Sequence, residues 1–297
     1  MMNSKARFAL LSSASTAVAI FLSPAAAQAQ ATTCSQLTTN ITCVDGTNTV
    51  LTATTDPVTT TVAGPGLTTV NTTGVSNVTY TATGPISTTG VTAVNLTSTG
   101  GALTFVPAGT TAAVNIVTTG GAGANGLVLN TAGRAATVTV GNISTSGANS
   151  FGVLSTGGTD LTLKTGNITT TGATSTAIDA GAQTGNIAIN AGNISATGRG
   201  LRTVANGTNT ITVGNVVTGD RGILANGSTV SVTTGNITTS TNGGTTPGGY
   251  GVAAQATTGN STVRTGAVNT VNGAGIIASS ASGAVDIGGC PSVSTVG

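Results

Sequence analysis

From residue 141 onward the apolar residues fall into three short groups that recur in a fixed order. The first is one Ile or Val behind Gly-Asn, at Ile143, Ile168, Ile194, Val216 and Ile237, with a worn copy at Gly266-Ala267-Val268. The second follows a small residue, as in Gly152-Val153-Leu154, Ala177-Ile178, Gly200-Leu201, Gly222-Ile223-Leu224, Gly251-Val252 and Gly275-Ile276-Ile277. The third alternates: Leu161-Thr162-Leu163, Ile187-Ala188-Ile189, Ile211-Thr212-Val213, Val230-Ser231-Val232 and Val285-Asp286-Ile287. Alternation at period two marks a half-buried strand. Three such strands per repeat, joined by corners rich in Gly, Asn and Thr, predict one turn of a right-handed parallel β-helix.

The spacing agrees. The phrase begins at Gly141, Gly166, Gly192, Gly214, Gly235 and Gly266, so its starts lie 25, 26, 22, 21 and 31 residues apart. A period in this range is that of a stacked solenoid, in which no repeat can fold alone and each is stabilised by its neighbours. Length varies only between the groups, where a corner can bulge outward; the largest bulge runs from Thr238 to Gly249 and carries Gly243-Gly244 and Pro247-Gly248-Gly249. Asn142, Asn167, Asn193, Asn215 and Asn236 recur at one phase and are expected to form an amide ladder inside a corner, each side chain bonded to the next. Before residue 141 the pattern weakens. Asn95-Leu96 and Asn115-Ile116 read as earlier copies of the phrase, Gly126-Leu127-Val128 and Val138-Thr139-Val140 complete a coil, and residues up to about 94 read as irregular early coils. Regular coils are expected over 95–297.

Composition excludes a conventional core. Charged residues make up 5% and aromatics 2%, with 45 Gly and no His, Trp or Glu, so short strands of Thr and Val with Gly corners are the consistent reading. Residues 1–29 have the layout of a secretory leader: Lys5 and Arg7, an apolar stretch from Phe8 to Leu22, then Pro24 and the small-residue cleavage site Ala27-Gln28-Ala29. The chain carries 8 Lys and Arg against 6 Asp. Two of those cations, Lys5 and Arg7, lie in the leader, so the exported part, 30–297, is electrically neutral overall. That offers no phosphate-tracking stripe and argues against nucleic acid as a partner. Cys34 and Cys43, close together in an oxidising compartment, fit either a local disulfide capping the first coil or two thiols on a frayed end; compartment and spacing favour the disulfide. Cys290 reads as an incidental free thiol.

Candidate chemistry is sparse. The acids are Asp45, Asp56, Asp160, Asp179, Asp220 and Asp286. Asp160 and Asp286 sit at similar points of their repeats but lie several coils apart, at ~4.8 Å per coil too far for a carboxylate pair. Without His or Glu, general acid–base catalysis has few candidates, and no metal or cofactor site is expected. One outward row is distinctive. Phe151, Thr176, Arg199, Arg221, Tyr250 and Ala274 precede the small residue of the second group, so Arg199, Arg221 and Tyr250 are expected to form a ridge able to hold a glycan or a protein partner. A second row, Ser144/Ser146, Thr169/Thr171, Ser195/Thr197 and Thr238/Ser240, resembles the Thr-x-Thr ladders of ice-binding solenoids, but Gly214 to Asp220 interrupts it.

The runs Gly-Asn-Ile-Thr-Thr-Thr-Gly at 166–172, Gly-Ile-Leu-Ala at 222–225 and Gly-Asn-Ile-Thr-Thr-Ser at 235–240 resemble passenger repeats of bacterial autotransporters. The Ala-Gln-Ala site and the early Cys pair fit that resemblance, which covers roughly residues 30–297 and implies a Gram-negative source. It implies an exported, non-enzymatic, adhesin-like protein of the periplasm, the cell surface and outer membrane, or the medium. Such passengers end in an outer-membrane barrel; here coils run to Val296-Gly297, so the barrel or a separate transporter is expected outside this chain. Two other readings are a polysaccharide-active β-helix enzyme and a structural or truncated solenoid without ligand.

Overall fold

The computed structural model describes residues 41–43, 58–62, 70–74, 78–82, 85–98, 101–107, 114–240, 249–271, 273–289 and 292–296. Among them every regular element is a strand, and every strand pairing is parallel. The strands form three sheets of nine, nine and eleven members, each coil adding one strand to each sheet in turn. The chain is a parallel β-helix.

The three groups read from the sequence are the three sheets. The first sheet stacks the residues that follow Gly-Asn: Ile143 pairs with Ile168, Ile168 with Ile194, Ile194 with Val216 and Val216 with Ile237. All five are at most 1% exposed, and Ile86, Ile116 and Val268 extend the buried column at either end. The second sheet begins at the small residue. A Cβ on Gly152 would lie 2.6 Å from the Ala177 carbonyl oxygen and 2.7 Å from Ile168 Cγ2. A glycine there lets the Ile of the first sheet reach across the interior. The third sheet alternates as expected, with Leu161 and Leu163 buried and Thr162 and Lys164 exposed.

One position differs from the sequence reading. Asn95-Leu96 is not a copy of the phrase: Leu96 pairs with Leu129 in the second sheet. The sign was present in Ala93-Val94, a small residue followed by an apolar one, both buried. The phrase position of that coil belongs to Ile86, which pairs with Ile116. Strands Val58–Val62, Val70–Gly74 and Val78–Ala82 also enter the sheets in register with later coils.

The interior is not wholly apolar. Beside the Ile column runs a column of buried Thr: Thr88, Thr118, Thr145, Thr170, Thr218, Thr239 and Thr270. Thr118 donates its hydroxyl to the Ala124 carbonyl oxygen at 3.2 Å, whereas the hydroxyls of Thr145, Thr170 and Thr218 have no partner. Thr at this position fits the pleat by shape, its methyl filling the core.

Candidate functional site

The corner before the first sheet is held by an Asn ladder. Its geometry corrects the expected side-chain-to-side-chain form. Each carboxamide oxygen accepts the backbone N–H of the equivalent residue one coil later: Asn115 Oδ1 accepts from Asn142, Asn142 from Asn167, Asn167 from Asn193, Asn193 from Asn215 and Asn215 from Asn236, each at 2.8 Å. The Asn side chains stand on the exposed corner, not inside it. The physical reason is local. The Gly N–H before Asn bonds the Gly carbonyl of the preceding coil, as Gly192 does to Gly166 at 3.0 Å, and the Ile N–H after it bonds the Asn carbonyl of the following coil. The Asn N–H between them points back where the turn presents no carbonyl, and the side-chain oxygen supplies the acceptor. The ladder starts at Asn115, because Pro85 at the equivalent place in the preceding coil has no side-chain oxygen to accept the Asn115 N–H. It ends at Ala267, which donates to Asn236 at 2.9 Å but has no side chain to continue.

A shorter ladder, missed from the sequence, precedes the third sheet. Asp160 Oδ1 accepts from Asn186 N–H at 2.7 Å, and Asn186 Oδ1 from Thr208 N–H at 2.8 Å. Asp160 is thus engaged as a corner acceptor. Asp179 accepts from Arg202 at 2.9 Å, Asp220 lies between two arginines, and Asp286 is held by Arg264 at 2.5 Å, which keeps its carboxyl below the usual range. Asp45, Asp56, Cys34, Cys290 and residues 1–29 lie outside the described residues, as does the side chain of Cys43, so the Cys34–Cys43 pairing lies outside them too. Among the described residues no group of three or more His, Cys, Asp or Glu could hold a metal ion. An open cleft of about 370 Å³ beside the start of the Asn ladder is lined by Asn115, Asn142 and Lys164.

The outer faces of the three sheets differ. The third presents mainly hydroxyls: Thr104, Thr137, Thr162, Ala188, Thr210, Ser231 and Thr262 in one row. The first presents Ser144, Thr169 and Ser195, then Val217, half exposed, which breaks the hydroxyl row. The second gathers Phe151, Tyr250 and, on it or at its edge, Asp179, Arg199, Arg202, Asp220 and Arg221. That is half of the ten charged residues in the described part of the chain.

Within it Arg199, Arg221 and Tyr250 occupy successive coils at one phase: Gly200 N–H bonds the Arg221 carbonyl at 2.8 Å, and Gly222 N–H bonds the Tyr250 carbonyl at 2.9 Å. The Arg221 guanidinium lies 5.8 Å from the centre of the Tyr250 ring, within range of a cation–π attraction. Asp220 sits between the arginines, 3.7 Å from Arg199 Nε and 3.8 Å from Arg221 Nε. Both separations are ion-pair distances and neither is a hydrogen bond. Arg221 Nε is buried without a hydrogen-bond partner.

Burial pushes the Tyr250 phenol above the ordinary tyrosine range, opposed first by Arg221 and then by Arg199. An acid whose folded pKa is raised contributes stability that is intact below the unfolded value and is lost as pH rises through the folded one. Tyr250 therefore stays protonated until strongly alkaline solution. In an ultraviolet-monitored titration Tyr250 should ionise later than free tyrosine. Tyr250→Phe should remove that late phase, and Arg221→Ala should move it later still.

Compared with protein-family models, with curated proteins and with solved structures, the chain matches none.

Proposed function

We propose that this protein is an exported, non-enzymatic surface β-helix, an adhesin-like passenger that contacts a glycan or a protein at the cell surface. The observation that carries the reading is the Arg199–Asp220–Arg221–Tyr250 ridge. It places aromatic and cationic groups at one phase of successive coils, on a scaffold whose other two faces offer mainly hydroxyls. A rigid stack is a good presenter of such a row, because strand pairing fixes the side-chain spacing before any ligand arrives. The passenger-like repeats and the leader at 1–29 support export, with an outer-membrane barrel or transporter outside this chain as the expected partner. The alternative as a polysaccharide-active enzyme is less well supported, because all four acids in the described residues are engaged by a cation or a backbone N–H. A structural solenoid without ligand leaves the ridge without a role.

The test combines location with adhesion. Fractionation and N-terminal sequencing should find a chain beginning near Gln30 in the periplasm, on the surface or in the medium; an intact Met1 in the cytoplasm would overturn export. Purified exported chain should adhere to cells, and Arg199→Ala with Arg221→Ala should reduce adhesion several-fold. Adhesion indifferent to that pair would overturn the ridge as the contact surface.

A further inference from the structure

We infer that the ridge recognises a carboxylate-bearing glycan, the acid group lodged at Arg199 and Arg221 and a sugar ring lying against Tyr250. This rests on the adhesive reading above and specifies its ligand.

Three features of the ridge carry the assignment. The first is unspent donor capacity. Arg202 is committed to Asp179 by a 2.9 Å hydrogen bond, but neither Arg199 nor Arg221 donates a hydrogen bond to any described residue. Asp220 approaches only their Nε atoms, so the terminal N–H groups of both forks remain available. Arg221 Nε is enclosed, so an incoming oxygen would meet the terminal N–H groups of that fork. The second is charge. Arg199, Arg202 and Arg221 outnumber Asp179 and Asp220 by one, so one carboxylate on a sugar ring is balanced here, whereas several charges crowded on one ring would meet the Asp carboxylates. A planar guanidinium fork matches a carboxylate bidentately, which a lysine cannot do. The third is shape. Consecutive coils set the two arginines and the tyrosine one strand spacing apart along the axis, a narrow track with an aromatic platform at one end. Tyr250 is partly exposed, offering apolar surface to the face of a sugar ring. A protein partner would call for a wider apolar centre. The most exposed large aliphatic side chains, Val91, Val217, Ile277, Val285, Ile287 and Val293, lie off this track.

The test measures binding of the exported chain to polygalacturonate, to the same polymer fully methyl-esterified, and to dextran sulfate, at low and at physiological salt. Polygalacturonate should bind, and esterification should weaken binding tenfold or more, because it keeps the ring and removes the charge. Arg199→Ala with Arg221→Ala should cost at least tenfold, and the two Lys replacements should restore only part of it. Tyr250→Ala should weaken the charged and esterified polymers alike, while Arg264→Ala, on the third sheet, should leave binding unchanged. Equal binding of the esterified polymer, or dextran sulfate bound as tightly as polygalacturonate, would overturn the carboxylate assignment. The esterified polymer requires no variant to fold. If adhesion to cells depends on the arginine pair but polygalacturonate does not compete, the carboxylate assignment fails and the adhesive reading stands. If adhesion ignores the pair, the adhesive reading fails with it.

Discussion

Ile194→Asp should break the stack in two. Ile194 is 1% exposed and sits in the buried column between Ile168 and Val216. The substitution removes an aliphatic side chain from the core and puts a carboxylate in its place. The hydroxyls of Thr170 and Thr218, in the neighbouring column, lack partners and could turn toward it, but two hydroxyls do not replace a hydration shell or a counter-charge. A buried, uncompensated charge costs about 3–5 kcal/mol, and the lost aliphatic contacts add to it. In a solenoid that penalty falls on two coil–coil interfaces rather than on one global core. Chemical denaturation of the wild type should give a steep transition. The variant should lose that cooperativity, and limited proteolysis should cut near residue 194 to release fragments from either side. Ile194→Val should cost only about 1 kcal/mol and keep one transition. An Asp variant as stable as wild type would mean that the column is not a dry interior.

The second large effect is expected at a position with no side chain. Gly192→Ala should destabilise the fold by about 2 kcal/mol through overpacking. The added Cβ would collide with Asn167 Oδ1 of the preceding coil and lie 3.0 Å from the Asn167 backbone N. The φ angle of Gly192 is not in the left-handed region, so the glycine is required here by space and not by backbone conformation. Asn167→Ala removes the obstructing carboxamide at the cost of the acceptor for Asn193 N–H, which the exposed corner allows water to replace. In Gly192→Ala with Asn167→Ala, the combined loss should therefore be smaller than the sum of the two single losses by at least about 1 kcal/mol. Thermal or denaturant melts of the four proteins give the comparison. Strict additivity would show that the corner relaxes without the amide.

This coupling explains why Gly and Asn travel together, which the sequence displays but does not interpret. The repeat of Gly-Asn-Ile was legible because each residue does the same task in every coil. The Gly yields space, the Asn accepts, and the Ile fills the interior. The three sheets were legible for a similar reason, since inward positions tolerate only apolar or small residues. Direction was not legible. Whether an Asn bonds another side chain or a backbone N–H depends on where the strand hydrogen bonds point at the corner, and spacing carries no such information. Asp160 was hidden because a carboxylate performs an amide's acceptor role under a different letter. Asn95 misled because Asn before an aliphatic residue also occurs mid-strand, facing outward. The ridge was legible, as equivalent positions of successive coils must stack. Its ion pairs with Asp220 were legible only in part, because Asp220 reaches both neighbours from one corner.

The long Asn ladder gives the solenoid an electrical direction. In the sheets, successive backbone N–H groups point alternately up and down the axis, so strand dipoles largely cancel. Along the ladder they do not. Every carboxamide oxygen from Asn115 to Asn236 faces the following coil, and every N–H from Asn142 to Ala267 faces the preceding one. Aligned donors and acceptors of this kind sum as the peptide units of a helix do, positive toward the first residue and negative toward the last. A chain whose residues 30–297 have no net charge therefore carries a polar edge along the ladder. Its field is confined by salt to within ~8 Å of the row's two ends, where it biases the early coils toward anions and the late coils toward cations.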